Sequence, residues 1–178
     1  MNKKILCWEG FGIIFIFILG TLLHFLYEWS GYLRPIALFA AVNESLWEHF
    51  KLAFWPTLLF GIIEYPFLKN DANNFLIAKT VNLYLTPIII GVLFYLYTSI
   101  IGTNKLFIDI LIFIIAIAVG QLTSCKIMSA DPLPNIYRSI SLVALFILIV
   151  MFLTFTYYPP HLPIFMDPNT GEYGIPHR

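Results

Sequence analysis

Along this chain, apolar runs of membrane-spanning length alternate with short polar breaks. Five such runs fall at about 8–28, 51–68, 78–101, 106–126 and 138–158. The third and fifth include the charge-free stretches Thr80 to Asn104 and Ser139 to Pro160, each long enough to cross a hydrocarbon core of about 30 Å. The second is less regular, because Pro56 and Gly61 interrupt it and Pro66 ends it. Ahead of it, the apolar run Pro35 to Val42 is too short to span.

Two arrangements of 35–68 compete. One is a long helix kinked at Pro56. The other, which we favour, is a short interfacial or re-entrant helix broken near Asn43, with the true span following. Ser45-Leu46-Trp47-Glu48 fits the Ser-x-x-Glu capping box, so a new helix is expected to start there. A backbone break at membrane depth needs protein or water to satisfy its polar groups, so the break would mark a wet site. The expected fold class is thus an all-α integral membrane protein. It is a compact bundle of about five transmembrane helices over 1–158, with an ordered outer tail, 159–178, folding over the bundle. The tail has neither helical nor strand periodicity, but Asp167-Pro-Asn-Thr-Gly171 is a turn signal, and Ile164, Phe165, Met166 and Tyr173 are apolar groups that a solvated terminus would not need.

Composition agrees with the pattern. Apolar residues make up 60% of the chain, charged residues 11%, and the mean hydropathy is +0.84. Net charge is zero, with 10 basic and 10 acidic residues, so nothing argues for a nucleic-acid partner or a polybasic lipid anchor. The partners expected are membrane lipids and, at the site described below, a lipid-linked substrate; oligomeric state is not legible. Lys3 and Lys4 precede the first apolar run as in a signal peptide, but no small-x-small cleavage site follows, so a retained first helix is expected. Basic residues set the orientation. With the N-terminus inside, Lys3, Lys4, Lys69, Lys79, Lys126 and Arg138 are cytoplasmic, against Arg34, Lys51, Lys105 and Arg178 outside. This favours N-in, C-out. Tyr27, Trp29, Trp47 and Tyr158 then fall where an outer aromatic belt belongs, and Cys7 and Cys125 lie near the cytoplasmic side, where thiols stay reduced.

Topology gives the polar cluster Asn43-Glu44-Ser45-Leu46-Trp47-Glu48-His49 its meaning. His24 and Glu28 end the first helix on the outside, Glu44, Glu48 and His49 begin the second there, and His161 and Asp167 follow the last helix on the same side. Ionisable groups at membrane depth usually have a partner or a task. Histidines and carboxylates drawn from several elements are what zinc or another divalent metal requires. The expected metal ligands are His24, Glu48, His49 and His161, with Glu28 or Glu44 left as catalytic base. No His-Glu-x-x-His motif is present. A structural alternative stands beside this: Glu48 completes a cap, His49 sits at the interface, and Glu28 pairs with Arg34 or Lys51.

Other polar groups have simpler expectations. Glu64 is expected to snorkel or pair with Lys69, Gln121 to bond a neighbouring helix, Asp109 to lie near the outer interface, and Gly91, Gly102 and Gly120 to permit close helix packing. His24-x-x-Tyr27-Glu28-Trp29, Asn43-Glu44-Ser45-x-Trp47-Glu48-His49 and the closing Pro160-His161-Leu162-Pro163, Asp167-Pro168 and Tyr173-Gly174 together resemble an uncharacterised family of small bacterial polytopic membrane proteins. The resemblance implies a bacterial inner-membrane location and no particular activity. The leading expectation is an outward-facing, metal-dependent hydrolase or transferase acting on a lipid or lipid-linked substrate. The alternatives are a small cation or proton-coupled transporter and a non-catalytic partner subunit. A transporter needs polar groups across the whole depth, whereas these gather on one side, with only Glu64 and Gln121 elsewhere.

Overall fold

The computed structural model describes residues 2–176, so Arg178, counted above among the outer basic residues, lies outside the described residues. Five helices follow in order: α1 (Lys3–Trp29), α2 (Leu46–Leu68), α3 (Phe75–Ile101), α4 (Leu106–Met128) and α5 (Asn135–Phe155), with 3₁₀ turns at Arg34–Leu38 and Pro163–Phe165. Four of them, α1, α3, α4 and α5, are long and apolar enough to cross a membrane. At about 1.5 Å per residue, the 27 residues of α3 reach about 40 Å. α2 is 23 residues long and carries Glu48, Lys51 and Glu64. Those charges are buried against other helices, while the four apolar helices turn large side chains outward, with Ile100 77% and Phe107 78% exposed.

Packing explains that division. α1 contacts α2 and α4, and α3 contacts α2, α4 and α5. The buried residues of α1 are Ile5, Glu9, Gly12, Ile16, Gly20, Leu23 and Tyr27, a stripe at three- and four-residue spacing. Two glycines on this stripe allow close approach. A Cβ on Gly20 would lie 2.5 Å from the Leu52 carbonyl oxygen of α2, and one on Gly12 would lie 1.8 Å from Gln121 Nε2 of α4. Gly120 serves α4 in the same way, against Asn82 and Thr86 of α3. Gly102 has a different role from the packing role expected: nothing lies within 4 Å of its Cβ position, and its φ of +81° caps α3 in the left-handed conformation.

The chain is broken ahead of α2, in the favoured arrangement of the two. The 3₁₀ turn ends at Leu38, and α2 begins after Ser45, whose Oγ accepts from Glu48 N (3.4 Å). Pro56 and Pro66 lie inside α2. Only half of the capping box forms. Asn43 Oδ1, in place of Glu48, accepts from Ser45 N (2.8 Å), and the Glu48 carboxylate accepts from Val42 N (3.0 Å). Side chains thus satisfy the backbone at the break.

The helices have two distinguishable ends. The N-terminal end gathers 2–4, 67–74 and 127–135, tied by Lys4 to Asp71 (2.6 Å) and by Asn74 to the carbonyls of Ile127 and Asp131. At the opposite, tail end, residues 159–176 fold back. Phe165 packs on Trp47 and Phe155, and Asn43 Nδ2 donates to the Gly174 carbonyl (2.8 Å). Trp47, expected in an interface belt, is instead core: it is 7% exposed and stacks on Phe152 at 4.7 Å. The Asp167 turn forms as its residues demand, with Gly171 N donating to Asp167 O and Gly171 at a φ of +75°.

Candidate functional site

At the tail end, three residues from two helices and the loop before α2 come together. His24, one and a half turns from the end of α1, faces His49, in the first turn of α2, with ring centroids 5.4 Å apart. Glu44 lies between them: its Oε1 is 3.9 Å from His24 Nε2, and its Oε2 is 3.6 Å from His49 Nε2. One ligand-type atom from each residue lies within 4.8 Å of the other two. The histidines are partly buried, and Glu44 is the exposed member.

The hydrogen bonding of His49 makes this arrangement more than proximity. Its Nδ1 is 2.9 Å from the Ser45 carbonyl oxygen, which only accepts, so Nδ1 carries the hydrogen. In the neutral ring, Nε2 then carries the lone pair, and Glu44 Oε2 lies 3.6 Å from it. At 3.6 Å, a shared proton or a bound cation between the two would offset the repulsion of a lone pair and a carboxylate oxygen. His24 Nε2 lies 3.9 Å from the same carboxylate, and its Nδ1 is buried with no hydrogen-bond partner among the described residues.

Glu48 occupies a different place from the one expected. It was the anticipated oxygen ligand, but residues 48 and 49 point about 100° apart on a helix, so only one of them can face α1. Glu48 turns inward, where its Oε2 pairs with Lys51 Nζ at 2.6 Å, both side chains being buried. Lys51 Nζ also donates to the Ala37 carbonyl (2.8 Å) and to Thr156 Oγ1 (3.0 Å). This clamp joins the 3₁₀ turn, α2 and the end of α5. The carboxylate beside the histidines is that of Glu44, which the sequence reading held as a candidate base.

The remaining candidates lie around this group. Glu28, on the same face of α1 as His24 and one turn further on, is exposed and makes no ion pair among the described residues. The expected pairing with Arg34 or Lys51 is therefore absent there. His161 is exposed and rests on the Tyr173 ring at 4.7 Å, outside the three-residue group. Asp167 is buried and shapes its own turn, accepting from Asn169 N (2.8 Å). Asp109 accepts a short hydrogen bond from Tyr97 OH.

The N-terminal end holds a second charged group that the sequence reading missed in part. Glu64 pairs with Lys79 rather than with Lys69, and Lys79 also binds Glu9 at 2.7 Å. Gln121 bonds a neighbouring helix as expected, accepting from Asn82 Nδ2 (2.5 Å), and it donates to the Glu9 carbonyl (3.4 Å). Buried Glu9 and Lys79 thus join Glu64 and Gln121 at this end, so the polar groups are less one-sided than expected. A signal for Glu9 was present in the chain, because it falls on the same three- and four-residue stripe as Gly12 and Gly20, the face that packs.

No curated protein and no solved structure matches this chain. A family does match, over nearly the whole length, and the fold and both polar clusters lie within the matched residues. By that match over residues 1–175, the chain belongs to DUF6512, a family of unknown function.

Proposed function

We propose that this protein is a multi-pass membrane protein, with its N-terminus in the cytoplasm and its tail outside, that binds a divalent cation such as zinc through His24, Glu44 and His49. In this reading the site performs hydrolysis or group transfer on a lipid or lipid-linked substrate at the outer membrane surface. The observation that carries it is the convergence of His24, Glu44 and His49, one ligand-type atom from each lying within 4.8 Å of the other two, with His49 Nδ1 held by the Ser45 carbonyl and its Nε2 3.6 Å from Glu44 Oε2. The separations of 3.9 and 3.6 Å run to different oxygens of Glu44, and one ligand atom from each of the three residues lies within 4.8 Å of the others, so the side chains would draw together to reach the edge of a tetrahedral zinc site, about 3.3 Å for bonds of about 2.0–2.1 Å.

Three protein ligands leave a position for water or a substrate oxygen, which bound zinc would polarise. Glu28, which makes no ion pair among the described residues, would supply a carboxylate on the same helix face as His24 to hold a proton. Substrates of a site at the ends of membrane-length helices would approach along the bilayer surface, which favours lipids over soluble metabolites. Compared with the sequence reading, His24 and His49 keep their roles, Glu44 replaces Glu48 as oxygen ligand, and His161 is left out.

Equilibrium dialysis of the detergent-purified protein against zinc, followed by elemental analysis, tests the metal. One ion per chain is expected in wild type, with loss in His24→Ala and in His49→Ala and retention in His161→Ala. A wild type that holds no zinc would reduce the group to an imidazole–carboxylate hydrogen-bond network. The chemistry is tested separately by incubating the protein with membrane lipids, with and without zinc, and analysing the extract by mass spectrometry. Absence of any zinc-dependent product would retire the enzyme reading while leaving the metal site.

A further inference from the structure

The charged group at the N-terminal end is independent of the proposed metal site. Lys79 Nζ on α3 is 2.7 Å from Glu9 Oε1 on α1 and also contacts Glu64 Oε1 on α2. Ser124 Oγ on α4 donates to the same Glu9 oxygen (2.8 Å). Glu9 and Glu64 are 0% exposed and Lys79 is 6% exposed. The Phe60 and Phe75 rings lie 5.9 and 5.7 Å from the ammonium, so the flanks are apolar.

Two carboxylates around one ammonium leave one negative charge uncompensated. Among the described residues, the other element packed here, α4, brings the uncharged Ser124, Gln121 and Cys125 thiol to the group. Lys69 and Arg138 line the neighbouring cleft, but both are exposed, so solvent rather than the buried carboxylates answers their charge. The second oxygens, Glu9 Oε2 and Glu64 Oε2, are buried without a hydrogen-bond partner among the described residues. An ionised carboxylate only accepts, and an unpaired buried acceptor is costly; a carboxylic acid carries its own donor and no charge.

We propose that Glu9, Glu64 and Lys79 form a proton-binding site, in which one proton is held by the two carboxyl groups. The proton comes from water and returns to it: a carboxylate oxygen takes it up to form an O–H bond, and that bond breaks on release. A cleft of about 620 Å³ with a mixed polar and apolar lining reaches the group at Lys79, so exchange with water would run through the ammonium side of the site. Sodium is the poorer occupant, because few oxygens are within reach: the two carboxylates and the Ser124 hydroxyl.

Infrared spectroscopy of the full chain in liposomes tests this through the C=O stretch of protonated carboxyl groups. A protonated-carboxyl band is expected at neutral pH in wild type, disappearing reversibly as the pH is raised. It should be absent in Glu64→Gln and in Glu9→Gln, because either change leaves one carboxylate paired to one ammonium. Should a glutamine variant fail to fold, Ser124→Ala gives a second readout, since removing the hydroxyl from Glu9 must shift the band. Absence of the band in wild type would overturn the proposal. So would its persistence unchanged in all folded variants, or its replacement by a sodium-dependent rise in thermal stability that choline does not produce.

Discussion

Lys51→Met tests whether Glu48 belongs to a structural clamp or to a metal site. In wild type, Lys51 Nζ holds Glu48 Oε2 (2.6 Å), the Ala37 carbonyl (2.8 Å) and Thr156 Oγ1 (3.0 Å), with the lysine side chain 0% exposed and that of Glu48 3%. Methionine fills similar volume but leaves the Glu48 carboxylate with the Val42 N–H as its remaining hydrogen-bond partner. Breaking one side of a buried ion pair costs about 3–5 kcal/mol, because the surviving charge is stranded, whereas replacing both partners by neutral groups costs much less. The double variant Glu48→Gln/Lys51→Met should therefore recover at least about 1–2 kcal/mol of the single variant's loss, a coupling expected of residues in contact. Unfolding of the detergent-solubilised chain, followed by tryptophan fluorescence, provides the measurement. It should be run with zinc and with chelator, and the loss in Lys51→Met should be the same in both. A loss below about 1 kcal/mol, or a double variant no better than the single one, would refute the clamp. A loss that appears only when zinc is present would return Glu48 to the ligand set.

Four further outcomes are expected. Zinc affinity of the wild type should fall as pH is lowered, since histidine and carboxylate ligands must shed their protons to bind metal; a pH-independent affinity measured by competition with a chromophoric chelator would contradict the site. Gly20→Ala should destabilise by about 1–3 kcal/mol in the same unfolding assay, because its Cβ would meet the Leu52 carbonyl at 2.5 Å, a backbone atom unable to rotate away. Gly10→Ala, with nothing within 4 Å, should be neutral or stabilising by up to about 1 kcal/mol, and equal effects at the two glycines would undo the packing argument. A phosphatase fused after the last residue should be active and a fluorescent protein dark, as the basic-residue bias requires; the reverse would invert the topology.

Several features could be read from the chain without its fold. Five helices near 8–28, 51–68, 78–101, 106–126 and 138–158 are legible because an apolar run of this length has few alternatives to a helix. The break before α2 and its start at Ser45 are legible because capping is local chemistry, and the Asp167 turn follows from proline and glycine at fixed offsets. That His24 and His49 fall at the same end follows from helix direction alone.

Which carboxylate meets those histidines was decided only by packing. Glu44 and Glu48 are interchangeable in a sequence motif, but adjacent helical positions diverge by about 100°, so once His49 faces α1, Glu48 is carried inward to Lys51. Trp47 likewise has the composition of a belt residue and becomes core because α5 brings Phe152 and Phe155, and the tail Phe165, against it. The Glu9–Lys79–Glu64 group is the clearest case. Its members are 55 and 15 residues apart in sequence, on three different helices, and each alone looks like a charge to be snorkelled or tolerated. Local sequence fixes the direction and depth of each side chain along its own helix. Only the rotation of the helices against one another, set here by contacts such as Gly12 on Gln121 and Gly20 on Leu52, determines which of those side chains meet.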